Sequence, residues 1–182
     1  MNNPQRSLDA RSPLVLEVHE LGRRAGTMKK VSRTVPAPAG LGIEMIGVPA
    51  GSDIPLELRL ESVVEGVYVS GTAEVALAGE CSRCLRPIED DLALELQELY
   101  FYPDDDIEED AHLVVDERVD LEPLIRDAVV LDLPFTPLCR EDCAGLCVVC
   151  GANLNDDPDH GHGDRIDPRW GKLLDLSEGA EN

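Results

Sequence analysis

Cys81-Ser82-Arg83-Cys84-Leu85-Arg86-Pro87-Ile88-Glu89-Asp90-Asp91-Leu92-Ala93-Leu94-Glu95-Leu96-Gln97 carries two signals whose combination decides the fold. Leu92, Leu94 and Leu96 alternate with Ala93, Glu95 and Gln97, the period of a half-buried strand. Cys81 and Cys84 stand two residues apart, a spacing that lets both thiolates face one metal ion from a tight turn. Before that turn, Val67-Tyr68-Val69 and Ala73 to Leu77 read as strand, with Ser70-Gly71 as an interruption. Earlier still, Leu56, Leu58 and Leu60 alternate with Glu57, Arg59 and Glu61, and Glu65-Gly66 can turn a hairpin. Successive hairpins favour antiparallel pairing, and a metal at the Cys81/Cys84 turn would pin a register.

Downstream, Asp120 can cap a helix that tolerates Pro123 in its first turn. Leu121, Leu124, Ile125, Ala128 and Val129 form one apolar stripe, with Glu122, Arg126 and Asp127 facing away. The fold class expected is α+β: a mainly antiparallel sheet or partly closed barrel, one packed amphipathic helix, and a C-terminal zinc-binding segment. Four regions follow. Residues 1–40 are a basic, partly disordered N-terminal segment holding a strand at Leu14–Val18 and a strand plus loop from Gly22 onward. Residues 41–136 are a β-rich core with the helix near 121–131. Residues 137–176 carry the cysteines, histidines and a short helix begun by Asp167-Pro168, with Trp170, Leu173 and Leu174 on its apolar face. Residues 177–182 are a fraying tail.

The chain has 182 residues, 43% of them hydrophobic and only 3% aromatic, so its core must be Leu, Val, Ile and Ala. No run approaches the length of a membrane helix, and no apolar signal segment follows Met1. A cytoplasmic location is therefore expected, where thiols stay reduced and close cysteine pairs speak for metal over disulfides. The formal net charge is −21. Residues 1–40 hold seven basic and three acidic residues; the rest of the chain holds nine basic and thirty-four acidic. Such a body repels phosphate and attracts a basic protein, although an acidic surface also serves solubility alone. The run from Asp104 to Asp110 reads as a solvated loop: clustered carboxylates repel one another and nothing fixes their geometry for a cation.

A structural zinc takes four ligands, and six cysteines cannot fill two such sites. Cys139, Cys143, Cys147 and Cys150 follow the helix, and His160 and His162 lie shortly beyond. Eight candidates divide into two sets of four: Cys81, Cys84, Cys139 and Cys143, then Cys147, Cys150, His160 and His162. This partition strands no thiolate pair. Two others stay open. Cys81/Cys84 with Cys147/Cys150 would make a zinc ribbon, and the four later cysteines would make a single cluster. The two histidines are also compatible with a solvated polar loop. His19 and His112 have no partner at ligand spacing. One or two zinc ions are expected, in a structural role. A hydrolytic zinc keeps an open position beside a general base, whereas thiolate-rich shells close and weaken Lewis acidity.

Several segments occur together in order: Glu80-Cys81-Ser82-Arg83-Cys84-Leu85; Asp120-Leu121-Glu122-Pro123-Leu124-Ile125; Leu133-Pro134; Pro137 through Cys147; Cys150-Gly151-Ala152-Asn153-Leu154-Asn155; and Asp167-Pro168-Arg169-Trp170. Their combination resembles the YceD family, bacterial and plastid proteins linked to accumulation of large-subunit ribosomal RNA. The resemblance covers roughly residues 40–176 and leaves out the basic N-terminal stretch. Val148 stands where a proline often follows the cysteine, and His160 and His162 stand where the family often has a Cys-x-Cys pair; histidine can replace cysteine on zinc. The resemblance implies a non-enzymatic ribosome-biogenesis factor supporting synthesis, processing or stability of large-subunit (23S) rRNA. Its partner would be that rRNA or a basic large-subunit ribosomal protein. The acidic body favours indirect association through the protein, with no membrane and no small-molecule substrate. The alternatives are an acidic zinc-stabilised interaction module unrelated to ribosomes and, behind it, a zinc-dependent hydrolase.

Overall fold

The structure is a computed structural model that describes residues 8–103 and 111–162. The acidic run 104–110, the helix expected from Asp167 with Trp170, Leu173 and Leu174, and the tail 177–182 lie outside the described residues, as does the start of the N-terminal segment. The chain divides into two units, Met1–Cys139 and Arg140–Asn182.

In chain order the first unit contains β1 (Val15–Glu17), a 3-10 turn (His19–Leu21), β2 (Met28–Pro36), β3 (Leu41–Gly42), β4 (Ile46–Val48), β5 (Asp53–Ser62), β6 (Gly66–Glu80), β7 (Pro87–Phe101), β8 (Arg118–Asp120) and α1 (Glu122–Asp132). The 15-residue β6 organises the rest. It pairs along its whole length with β7, from Gly66↔Phe101 to Glu80↔Pro87. Its other side is shared by β5 (Leu56↔Ala73 to Ser62↔Val67) and β4 (Ile46↔Gly79). β2 extends the sheet beyond β5, and β3 extends it beyond β4; every pairing between these strands is antiparallel. A separate two-stranded sheet joins β1 to β8.

Alternation places the side chains as the sequence pattern requires. Leu56, Leu58, Leu60, Leu94 and Leu96 are buried, while Glu57, Arg59, Glu95 and Gln97 are exposed. The sheet is open, which corrects the expectation of a partly closed barrel. Among the described residues β7 forms a ladder only with β6, and β2 only with β5, so no pairing joins the two ends. The apolar face needs no closure because other elements cover it. α1 packs against β7 and β3, and its stripe of Leu121, Leu124, Ile125 and Val129 enters the core cluster. Leu14, Leu16, Val18, Leu21 and Val119 join the same cluster from β1, β8 and their flanks.

Two local details fix the helix. Asp120 Oδ1 accepts the Glu122 N–H at 3.0 Å, satisfying one of the first-turn amides. Arg126 donates to Gly40 O at 2.6 Å and to Glu122 at 2.9 Å, tying the helix to the β2–β3 connection. The expected interruption at Ser70-Gly71 is absent, and β6 runs through it. Gly71 has φ +154°, and a Cβ there would lie 2.1 Å from Glu57 O. Glycine is what lets β5 and β6 pass so closely.

Candidate metal centre

In the first unit, the β6–β7 hairpin turns through Cys81–Arg86. Cys81 N–H donates to Arg86 O at 2.8 Å and Leu85 N–H to Cys81 O at 2.9 Å, with Leu85 at φ 57°. This tight turn aims both cysteine side chains inward: Cys81 and Cys84 are buried. Ser82 N–H reaches out to Pro137 O at 2.8 Å, which brings the segment after α1 alongside the knuckle. Cys139 arrives with it. The sulfurs of Cys81, Cys84 and Cys139 lie within 4.8 Å of one another, and Cys84 and Cys139 are 3.6 Å apart. Burial pushes the Cys81 thiol up, but backbone N–H groups of Cys139, Arg83 and Cys84, with the Cys84 thiol, outweigh it and hold it down at about 6. The pocket is therefore built to carry a thiolate.

The second unit begins at the next residue. Arg140 O accepts the Cys143 N–H at 3.2 Å, a turn that starts one bond after Cys139. Cys143 is buried, and Asn155 Nδ2 donates to its sulfur at 3.4 Å. The same amide group accepts from Ala144 N–H at 2.9 Å and from Arg140 at 2.6 Å. Asn155 thus organises the Cys143 loop while feeding a hydrogen bond to the sulfur. A second knuckle follows: Cys147 N–H donates to Ala152 O at 2.7 Å and Gly151 N–H to Cys147 O at 2.8 Å, with Gly151 at φ 76°. The Val149 and Cys150 amides first, and the Cys150 and His162 side chains after them, lower the Cys147 thiol to about 6 against a smaller opposing effect of burial.

His160 and His162 turn back onto this knuckle. Cys150 Sγ lies 3.1 Å from His160 Nε2 and 3.2 Å from His162 Nε2, and the two nitrogens are 3.0 Å apart. With Cys147 they form a group of four ligand atoms within 4.8 Å of one another. His160 Nδ1 faces Asp157 Oδ2 at 3.6 Å, and their backbones close a turn. A carboxylate on Nδ1 favours a proton there and leaves Nε2 as the donor atom for a metal. Cys147 and Cys150 are engaged with the histidines, so the ribbon and the single four-cysteine cluster do not describe this arrangement. These donor sets are rich in sulfur and imidazole and lack carboxylate, a chemistry suited to transition metals and not to calcium or magnesium. Sequence spacing singled out neither Asn155 nor Asp157; the only sign of Asn155 was its place in the Gly151–Asn155 segment.

Residues 69–177 match the model of the family described as "Large ribosomal RNA subunit accumulation protein YceD", a span from within β6 through all eight candidate ligands. An uncharacterized protein of Mycobacterium tuberculosis (strain ATCC 25618 / H37Rv) is 46% identical over 170 residues, covering 91% of this chain and 82% of that one. A large ribosomal RNA subunit accumulation protein YCED homolog 1, chloroplastic, from Zea mays is 40% identical over 55 residues, 29% of this chain and 19% of its own. The Bacillus subtilis protein YlbN is 28% identical over 94 residues, 43% of this chain and 55% of its own. No solved structure matches.

Proposed function

We propose that this chain, which belongs to the YceD family, is a non-enzymatic factor that supports accumulation of large-subunit ribosomal RNA, stabilised by zinc and acting through a basic ribosomal-protein partner. The family match across residues 69–177 carries the reading. The charge selects the route. With 37 acidic against 16 basic residues, the chain meets phosphate with repulsion and a basic protein with attraction.

Zinc suits the donor sets. Tetrahedral ligation at about 2.3 Å to sulfur and 2.0 Å to nitrogen sets donor atoms about 3.3–3.8 Å apart. The 3.6 Å Cys84–Cys139 separation falls in that range, and the 3.0–3.2 Å contacts among Cys150, His160 and His162 are shorter than it, so these three would spread slightly around an ion. Cys147, Cys150, His160 and His162 would hold one ion. Cys81, Cys84 and Cys139 would hold another, with Cys143, four residues along the chain, completing the shell. Bound zinc supplies cross-linking here. A shell of four protein ligands leaves no position for substrate, and the lowered thiols of Cys81 and Cys147 favour the thiolate form that ligation needs.

Depletion of the protein from cells tests the function: 23S rRNA and free large subunits should fall relative to the small subunit, and unchanged subunit profiles would refute the reading. Metal analysis of purified protein tests the zinc. Two ions per chain are expected, and a single ion would remove the eight-ligand arrangement.

A further inference from the structure

The main sheet ends on strands of opposite charge. β2 carries Lys29, Lys30 and Arg33 and no acid; β7 carries Glu89, Asp90, Asp91, Glu95 and Glu98 and no base. Among the described residues β7 is laddered only to β6, leaving its far side unfilled up to Leu99. The hydrogen bonds show which backbone groups face that side. Asp91 N–H is held by Asp90 Oδ1 and Leu99 N–H by Glu98 Oε1, each at 2.9 Å, and Phe101 N–H donates outward to His112 O at 2.8 Å. All three positions are odd-numbered, and antiparallel pairing alternates strictly. Ala93, Glu95 and Gln97 therefore also turn their N–H and C=O groups away from β6. The 112–114 segment already takes up this edge at Phe101, where Val114 N–H returns a bond to Phe101 O at 2.8 Å. Among the described residues the edge is open from Glu89 to Leu99, and two of its amides are satisfied by neighbouring carboxylates.

We propose that the β7 edge from Glu89 to Leu99 receives an extended, lysine- or arginine-rich segment of a partner protein as an added strand. This deepens the reading of a basic protein partner and rests on it. Strand addition would replace the two local side-chain bonds with ladder bonds. The exposed side chains of Glu89, Asp91 and Glu95 recur every second residue or so, matching cations at alternate positions of an extended peptide. RNA does not fit, because the same carboxylates repel phosphate. A second copy offering its β2 has the right sign locally. However, Lys29 is already paired with Glu20 at 2.7 Å, and each copy brings a net charge of −21.

A fluorescein-labelled alternating Lys-Val decapeptide is the probe, used with the full chain in its metal-loaded form. Two changes test strand pairing without altering the charge of the edge. Ala93→Pro removes an outward N–H and no β6–β7 bond, and alternate N-methylation of the peptide removes its donors. Each should weaken binding at least tenfold, whereas Ala93→Ser should leave it unchanged. The double variant Asp91→Lys/Glu95→Lys should also weaken binding at least tenfold and flatten its salt dependence. On wild-type protein, the peptide should protect the Ala93, Glu95 and Gln97 amides from hydrogen exchange. The N-methylated peptide keeps the test valid if Ala93→Pro fails to fold. Equal binding of both peptides to wild type overturns the proposal, and so does self-association of wild type that Ala93→Pro abolishes. Basic large-subunit proteins that bind wild type and Ala93→Pro equally would remove the edge and leave the proposed function standing. Unchanged rRNA on depletion would remove that function whatever the peptide does.

Discussion

Replacing Asn155 with aspartate tests how the Cys143 sulfur is held. Asn155 Nδ2 donates to Cys143 Sγ at 3.4 Å, while Oδ1 accepts from Ala144 and Arg140. The substituted side chain would be nearly isosteric and keep the acceptor, but it would place a charged oxygen where the donor was. Two like charges 3.4 Å apart repel by about 1–5 kcal/mol for effective dielectrics between about 80 and 20. The new carboxylate also gains an ion pair with Arg140, whose side chain is half exposed, and such pairs return only about 0.2–1 kcal/mol. Repulsion wins. A net loss of about 1.5–2 kcal/mol corresponds to zinc held about tenfold to thirtyfold less tightly at the Cys143 site. Asn155→Ala removes the donor without adding charge and should lie between wild type and Asn155→Asp. Competition with a chromophoric chelator, followed ion by ion, measures both. Equal zinc affinity for Asn155→Asp and Asn155→Ala would refute a ligand role for Cys143, and loss of the Cys147/Cys150/His160/His162 ion in its place would misassign Asn155.

Further outcomes follow from the same structure. In metal-free protein the Cys81 thiol, whose hairpin burial holds without metal, should ionise with a midpoint near pH 6 by ultraviolet thiolate absorbance, because it is lowered to about 6; a midpoint near an ordinary thiol's, about 8.5, would remove the amide effect. The linkage has a definite sign. The depressed Cys81 thiol contributes stability that is full above its unfolded value of about 8.5–9 and is lost as pH falls through about 6, so metal-free protein should weaken on acidification across that window. Chelation should strip exchange protection from the amides of Cys147, Gly151 and Leu154 while the far-UV circular dichroism of the sheet persists; full loss of the sheet signal would contradict this. Leu96→Ala, at a site with no solvent exposure, should cost about 2–5 kcal/mol in urea unfolding, whereas Leu131→Ala, 81% exposed, should stay within about 0.5 kcal/mol. Tyr100→Phe removes the hydroxyl that donates to Asp120 O at 2.8 Å in the core and should cost about 1–2 kcal/mol in the same assay.

Local pattern carried most of the central sheet and the helix. Leu56/Leu58/Leu60 and Leu94/Leu96 lie on the buried face because each strand has one wet side, and the Leu121–Val129 stripe lies inward because α1 has one covered face. Where several forces compete, the pattern fails. Gly71 read as an interruption because glycine weakens strands; its necessity appears only once Glu57 O is seen to fill the space of a Cβ. β2 alternates in burial but not in polarity, because Lys29 and Arg33 share its inner face with Val31 and Val35. The β1–β8 ladder joins Val15 to Asp120, a pairing across about a hundred residues that no local period encodes. At the site, thiol and imidazole spacing nominated the ligand candidates. Asn155 and Asp157 stayed hidden because an amide or carboxylate in a polar loop acquires meaning only from what it touches.

Each unit, taken by itself, is stabilised by different physics. Every member of the hydrophobic core cluster comes from the first unit; residues 140–162 add none. Ordering a residue costs about 1–2 kcal/mol, and a hydrogen bond returns only about 1 kcal/mol net, so turns such as Cys147–Gly151 need more than their own backbone bonds. Ligation of Cys147, Cys150, His160 and His162 would supply that stabilisation. The Cys81/Cys84 turn has a different task, because it joins two strands that burial already stabilises. There a metal would fix register. A slip of one residue in β7 would turn Leu94 and Leu96 to solvent and bring Glu95 into the core. The same slip would reverse which amides face outward, presenting Leu94 and Leu96 to a partner in place of Ala93, Glu95 and Gln97. A structural metal at one end of the hairpin would thereby set the chemistry displayed along its edge.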